Sequence, residues 1–346
     1  MTKKWSSRLT FFAFVVLMVG LGSNDSLRGI FSTIFQEHFS LTTTQLGLIV
    51  TASYIGNLVF LLVGGNLSTR FSKKRVLQVL ILIWMAALAL FAFTSNYTVL
   101  LIGMALALGS STLLNTTMNL ITPLLFATAP GFFVNFLFFT QEIGTSGSQY
   151  ILGSHADGFA FWQHTNLVLL ILGAVAFVLL LFCNVPEEAA APADAPAQKG
   201  GYDWRIIVPY VLVFGFYFIA EHGVMNWMVA YGVDGLGLPQ ASAAKYLSVF
   251  FGGMMIGRLC LSPLVDKLGA LKSLAAFGGV SCVLYLIGSL GGAVTMPIWA
   301  ISGLSFSILY PTLVMSIRLY FPAQQVSGAA GTILSIASLA DILFNV

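Results

Sequence analysis

The stretch "GLGSNDSLRG" places a carboxylate, Asp25, three residues before a guanidinium, Arg28, between the apolar runs "LTFFAFVVLMV" and "IFSTIF". Asp25 can take up and release a proton. Arg28 carries a permanent positive charge on a planar fork of donors that fits a carboxylate. Asp25, Arg28, Ser32 and Gln36 follow one another at steps of 3, 4 and 4, so they share one face of a helix. Two readings stand side by side. In one, Asp25 and Arg28 form an i,i+3 ion pair that locks helix packing. In the other, Asp25 exchanges a proton while Arg28 holds it ionised or touches a solute, with Asn24 beside them.

Further polar side chains recur at helical spacing inside apolar runs. Ser111, Asn115, Asn119 and Thr122 follow at steps of 4, 4 and 3, and Asn135, Glu142, Ser146 and Gln149 at steps of 7, 4 and 3, with Gln141 adjacent. An amide both donates and accepts, which matches a hydroxyl; the competing reading is hydrogen bonding between helices. Glu142 is a second buried acid, either proton-coupling or held in a structural pair. "AEHGVMNWM" adds Glu221, His222, Asn226 and Trp227. Successive residues on a helix point about 100° apart, so either Glu221 or His222 pairs with a neighbouring helix while the other faces a cavity. His222 can relay a proton or sit neutral and hydrogen-bonded; Trp227 can stack on a sugar ring or simply pack. Tyr310 precedes Pro311, whose missing N–H loosens a helix near its middle. Asp341 receives no role.

Ionisable groups at such depth are costly and normally face a bundle interior or a watery cavity, so the surrounding elements must be membrane-spanning helices. Composition agrees. Of 346 residues, 58% are hydrophobic and 8% charged, and the mean hydropathy is +0.92, well beyond the roughly 45–50% apolar share of soluble domains. The net charge of +3 is dispersed in short loops, which gives no support to nucleic-acid binding. Cys183, Cys260 and Cys282 have no metal-ligand spacing, so no metal and no cofactor is expected.

Apolar runs of spanning length fall near 9–36, 44–69, 76–94, 98–122, 131–154, 165–184, 205–232, 240–265, 270–291, 296–320 and 324–346. The Ala/Pro/acid stretch "NVPEEAAAPADAPAQKGGYDW" divides them. The expected organisation is a six-helix bundle over 1–184, a cytoplasmic linker over 185–204 and an incomplete bundle over 205–346. With the N-terminus in the cytoplasm, Lys3, Lys4, Arg8, Arg70, Lys73, Lys74, Arg75, Lys199, Arg205, Lys267, Lys272 and Arg318 all lie inside and Lys245 outside. The loops "GGNLSTRFSKKRVL" and "LSPLVDKLGALKSL" align at an offset of 197 residues, which makes the two groups repeats and leaves a twelfth helix expected but missing.

Six plus six helices with a basic loop after helices 2 and 8 resemble the major facilitator superfamily. In "GGNLSTRFSKKR", Gly65, Leu67, Arg70, Phe71, Lys73 and Lys74 match the family loop, whereas Thr69 and Ser72 replace its usual Asp and Gly; the second copy has Asp266 and Gly269 there. Within the superfamily, "SNDSL", "LLNTTMN", "AAKYLSVFFGGMMIGR" and "SILYPT" resemble the fucose/galactose/glucose proton symporters. That resemblance implies an all-α fold, alternating access between two bundles, a central sugar site and proton coupling through Asp25. Asn115 stands where that family carries a Glu.

The expected function is secondary active transport of a small hydroxylated solute, a sugar or sugar derivative, by proton symport. Arg28 raises an anionic variant such as a sugar acid. Asp25, Glu142 and Glu221 are the proton-coupling candidates; Asn24, Arg28, Asn115, Asn119, Gln141, His222, Asn226, Trp227 and Tyr310 are the solute contacts. The partners are the solute, protons and lipid, and the protein is expected to act as a monomer in the inner membrane. Efflux of drugs or metabolites and solute sensing without turnover are the alternatives. No motif for Ser-His-Asp, metal or phosphate chemistry supports an enzyme.

Overall fold

The computed structural model describes residues 3–126, 130–186, 203–317, 319–321 and 323–344. Most of the linker, with Lys199, and Arg318 lie outside them, as do the side chains of Lys3, Lys4, Leu67, Arg70, Asn135 and Asp266.

The described chain is predominantly helical, with short turns between the helices. It runs α1 (Lys3–Ile30), α2 (Ser32–His38), α3 (Thr43–Arg70), α4 (Lys73–Phe93), α5 (Tyr97–Leu125), α6 (Pro130–Ile151), α7 (Phe159–Phe182) and α8 (Trp204–Ala230). A π-helical turn, Tyr231–Gly235, then leads to α9 (Gln240–Cys260), α10 (Ser262–Leu268) and α11 (Ala270–Leu290). After a short 3-10 turn come α12 (Met296–Ile301), α13 (Gly303–Phe306), α14 (Leu309–Ile317) and α15 (Ala323–Phe344). The α1–α2 break at Phe31 is slight, because Phe31 N–H still donates to Leu27 O at 2.9 Å and Phe35 N–H to Phe31 O at 2.9 Å.

The tenth span is where the structure departs from the single helix expected over 296–320. It divides at Ser302 and again at Ser307–Ile308. The second break sits one turn before Pro311, because the proline ring removes a donor and crowds the carbonyl four residues earlier, that of Ser307.

Local signals set several helix ends. Ser72 caps α4 by accepting from Arg75 N–H, Asn96 caps α5 by accepting from Val99 N–H, and Asp203 caps α8 by accepting from Arg205 N–H. Lys74 Nζ donates to Leu181 O at 2.9 Å and to Cys183 O at 2.7 Å, satisfying carbonyls at the end of α7. Gly269, in the second loop copy, closes α10 at φ 81°, a conformation that favours glycine, whereas Ser72 at the matching place has φ −59°.

Among the described residues, eight helical stretches are long and apolar enough to cross a membrane, the broken tenth span Gly292–Val314 counting as one of them. The spans that fall short, α6, α9 and part of α15, carry Gln141, Glu142, Lys245, Arg258 and Asp341. One apolar core collects side chains from Ala13 to Val185, another from Ile207 to Ala337. Between them, Val50, Tyr54, Leu108 and Ile342 form a small cluster against which Trp227 packs.

The two halves meet along α1, α3 and α6 on one side and α8, α9 and α15 on the other. Gln240 Nε2 donates to Ile30 O at 3.0 Å. Ser146 and Ser248 exchange hydrogen bonds, each hydroxyl reaching the other's carbonyl, at 3.0 and 2.9 Å. A Cβ at Gly29 would collide with the Met225 carbonyl, so this approach of α1 to α8 needs glycine.

Candidate functional site

Asp25 lies on α1 where that helix meets α5. Ser111 Oγ donates to its carboxylate, 3.2 Å from each oxygen, and Asn24 Nδ2 donates to Oδ1 at 3.3 Å. The i,i+3 pair with Arg28 is corrected here: among the described residues Asp25 has no ion pair. Arg28, one helical turn along α1, instead lays its guanidinium 5.3 Å from the ring centre of Tyr54 on α3. A hydroxyl of α5 reaches the acid first, while an aromatic face of the next helix draws the cation. Arg28 is 6% exposed, and its Nε and Nη1 are buried without a hydrogen-bond partner among the described residues. Asn24, Asp25 and Arg28 line a small cavity closed by Phe91, Leu108 and Trp162.

Tyr54 carries the site into the other half. Its hydroxyl accepts from Asn226 Nδ2 at 3.0 Å, and its ring centre lies 5.0 Å from that of His222. His222 Nδ1 in turn sits 2.7 Å from Asp341 Oδ2 on α15, and its ring stacks on Phe218 at 5.6 Å. His222 is therefore the member of the Glu221–His222 doublet that pairs with a neighbouring helix; Glu221 makes no ion pair among the described residues.

Nearer the start of α6, Asn119 Nδ2 donates to Asn115 Oδ1 and Asn115 Nδ2 to Gln141 Oε1, both at 2.7 Å. The polar stripe of α5 thus joins Gln141 of α6 in one chain of amides. Glu142, the neighbour of Gln141, takes another course. Its Oε1 accepts from Arg258 Nη1 on α9 at 2.6 Å, both side chains being buried, and the guanidinium also lies 5.5 Å from the ring centre of Phe138. Glu142 Oε2 has no hydrogen-bond partner among the described residues. Trp227 packs among apolar side chains at the junction of the halves, and Tyr310 sits in an aromatic cluster with Phe214, Tyr217 and Phe218.

Sequence reasoning overlooked Tyr54, Arg258 and Asp341 as site members. Asp341 and Arg258 were visible as ionisable residues at membrane depth. Tyr54 gave no signal, since one tyrosine in an aromatic-rich chain is unremarked until its neighbours are known.

The chain is 24% identical to the "L-fucose-proton symporter" of Escherichia coli over 333 residues, covering 84% of this chain and 75% of that protein. It is 28% identical to the "Hexuronate transporter" of Bacillus subtilis over 231 residues, covering 62% of this chain and 53% of that one. Its fold matches a crystal structure of the transporter FucP in the outward conformation with a TM-score of 0.71 and 21% identity, over 97% of this chain and 89% of that one. A multi-pass helical fold of this kind, with a family match spanning residues 10–344, places the chain in the Major Facilitator Superfamily, to which it belongs.

Proposed function

We propose that this protein is a proton-coupled symporter of a small solute of the sugar class, working by alternating access between its two halves. The observation that carries the reading is Asp25: a carboxylate inside the bundle, held by the neutral donors Ser111 and Asn24. An acid with only neutral partners can lose or gain a proton without stranding an opposite charge. The chain of amides from Asn119 through Asn115 to Gln141 adds donors and acceptors of the kind hydroxyls require. The names of the relatives support the same reading, since they describe a proton symporter of a neutral sugar and a transporter of a sugar acid.

The predominance of Lys and Arg in alternate loops supports an N-terminus in the cytoplasm and a place in the inner membrane. On that orientation, the C-terminal end of α1 and the N-terminal end of α9, joined through Ile30 and Gln240, are on the outer side. We read this arrangement as the stage of the cycle with the outer entrance closed. In this scheme Asp25 carries the proton, Asn24, Asn115, Asn119 and Gln141 face the solute, and Glu142–Arg258 holds the halves together. The protein acts as a monomer.

The test is uptake into proteoliposomes under an inward proton gradient, measured beside counterflow of labelled solute. Asp25→Asn is expected to abolish gradient-driven uptake while counterflow persists. Gradient-driven uptake that survives unaltered in the variant removes Asp25 from the mechanism, and the absence of counterflow in the unmodified protein favours a sensor over a transporter.

A further inference from the structure

We infer that Arg28 is the anchor for a carboxylate on the solute, so that the substrate class is a hydroxylated acid such as a uronate rather than a neutral sugar. The inference rests on the transport reading above and sharpens it.

A guanidinium is charged at every physiological pH and carries five N–H donors. Burying one without an anion is costly, and proteins normally supply a carboxylate partner. At this site three of the four carboxylates have other engagements, and the fourth, Glu221, makes no ion pair with Arg28 or with any other described residue. Asp25 takes hydrogen bonds from Ser111 and Asn24, Asp341 faces His222, and Glu142 faces Arg258. Arg28 is left with the face of Tyr54 and with two buried nitrogens, Nε and Nη1, that bond to nothing among the described residues. A side chain retained only for packing has no need of those donors.

Position favours a ligand as well. The Tyr54 ring that holds the guanidinium is itself held by Asn226 from the opposite half, so the fork stands where the halves meet and where alternating access assembles a site. Arg28 and Asn24 line the same small cavity, which sets a hydroxyl-binding amide beside the fork. A carboxylate engaged by two adjacent N–H groups of the fork through parallel bonds gains direction as well as charge. Asp25, one turn away, gives the anion a reason to travel with a proton. With that proton aboard, Asp25 is neutral and the solute carboxylate meets only the positive charge of Arg28.

The test uses the full chain in detergent and in liposomes, with D-glucuronate and D-glucose as probes. Glucuronate is expected to raise the unfolding temperature and to undergo counterflow, and glucose to compete at least tenfold more weakly. Arg28→Gln is expected to weaken glucuronate binding at least tenfold and Arg28→Lys to restore part of it, because charge returns without the planar fork. The selectivity of the unmodified protein stands as evidence even if a variant folds poorly. Preference for glucose over glucuronate, with glucose counterflow unchanged in Arg28→Gln, overturns the carboxylate anchor while the transport reading stands. Failure of both probes to bind or move overturns the anchor and the sugar-class reading together.

Discussion

Asp25 and Glu142 are both carboxylates inside the helix bundle, and each has an arginine within reach of the same region, yet the two are built in opposite ways. Glu142 is sealed against Arg258, 116 positions away in the chain, across the junction of the two halves. Asp25 has Arg28 three residues along its own helix and does not pair with it; it accepts hydroxyl and amide hydrogens instead. The first arrangement is a closed ion pair whose charges satisfy each other. The second leaves an acid with neutral partners and a cation with unused donors. A paired charge suits a latch between moving bodies, and an unpaired one suits exchange with a proton or a solute.

The largest effect expected from this contrast comes from fixing the junction itself. Ser146 Oγ and Ser248 Oγ are 3.2 Å apart, so thiols at both positions can form a disulfide between α6 and α9. Ser146→Cys with Ser248→Cys, in a background where Cys260 and Cys282 are replaced by serine, is expected to lose all uptake and all counterflow on oxidation and to regain both on reduction. Counterflow that continues in the oxidised form would show that the halves do not part along this line, and the latch interpretation of Glu142 would go with it.

Next in size is the energetic difference between the two acids. Removing one partner of a buried ion pair costs about 3–5 kcal/mol, because the other charge is left stranded. Glu142→Ala and Arg258→Ala are each expected to lower thermal stability by that order, and Glu142→Met combined with Arg258→Met to recover most of it, since an apolar pair leaves no charge buried. Asp25→Asn keeps its neighbours' donors occupied and is expected to change stability by less than about 1 kcal/mol. Thermal unfolding of the four variants in one detergent decides the matter; equal losses for Asp25→Asn and Glu142→Ala would erase the contrast.

The helix count and the polar stripes were legible in the sequence because both are periodic signals carried by the chain itself. Asp25, Asn115, Asn119, Gln141, Glu142 and His222 announced themselves as polar groups at membrane depth. Their partners did not. Spacing of three residues suggested Asp25 with Arg28, but a short hydroxyl on α5 lay closer, and the arginine's long stem allowed it to reach Tyr54. Glu142 with Arg258 and His222 with Asp341 are joined by the way the helices pack, and nothing local in either segment specifies the other. The breaks in the tenth span illustrate the same limit. Pro311 marked the region, yet the break falls a turn earlier, where the ring meets the carbonyl of Ser307.

The smallest expected effect tests the open site most directly. Among the described residues Ser111 is the one side chain that reaches both oxygens of Asp25, at 3.2 Å each, so its loss removes a donor from the acid without touching either arginine. A single hydrogen bond of this kind contributes about 0.5–1.5 kcal/mol, which corresponds to a change of roughly two- to twelvefold in a rate or binding constant. Ser111→Ala is therefore expected to reduce gradient-driven uptake by a factor in that range and to leave thermal stability nearly unchanged. Thr116, exposed on the same helix and bonded to the carbonyl of Thr112 at 2.9 Å, supplies the control, and Thr116→Ala should transport as the unmodified protein does. If Ser111→Ala and Thr116→Ala behave alike, the hydroxyl beside Asp25 has no part in coupling and the acid's neutral setting is incidental. If only Ser111→Ala slows gradient-driven uptake while counterflow holds, the effect belongs to the proton step, where Asp25 acts and the sealed Glu142 does not.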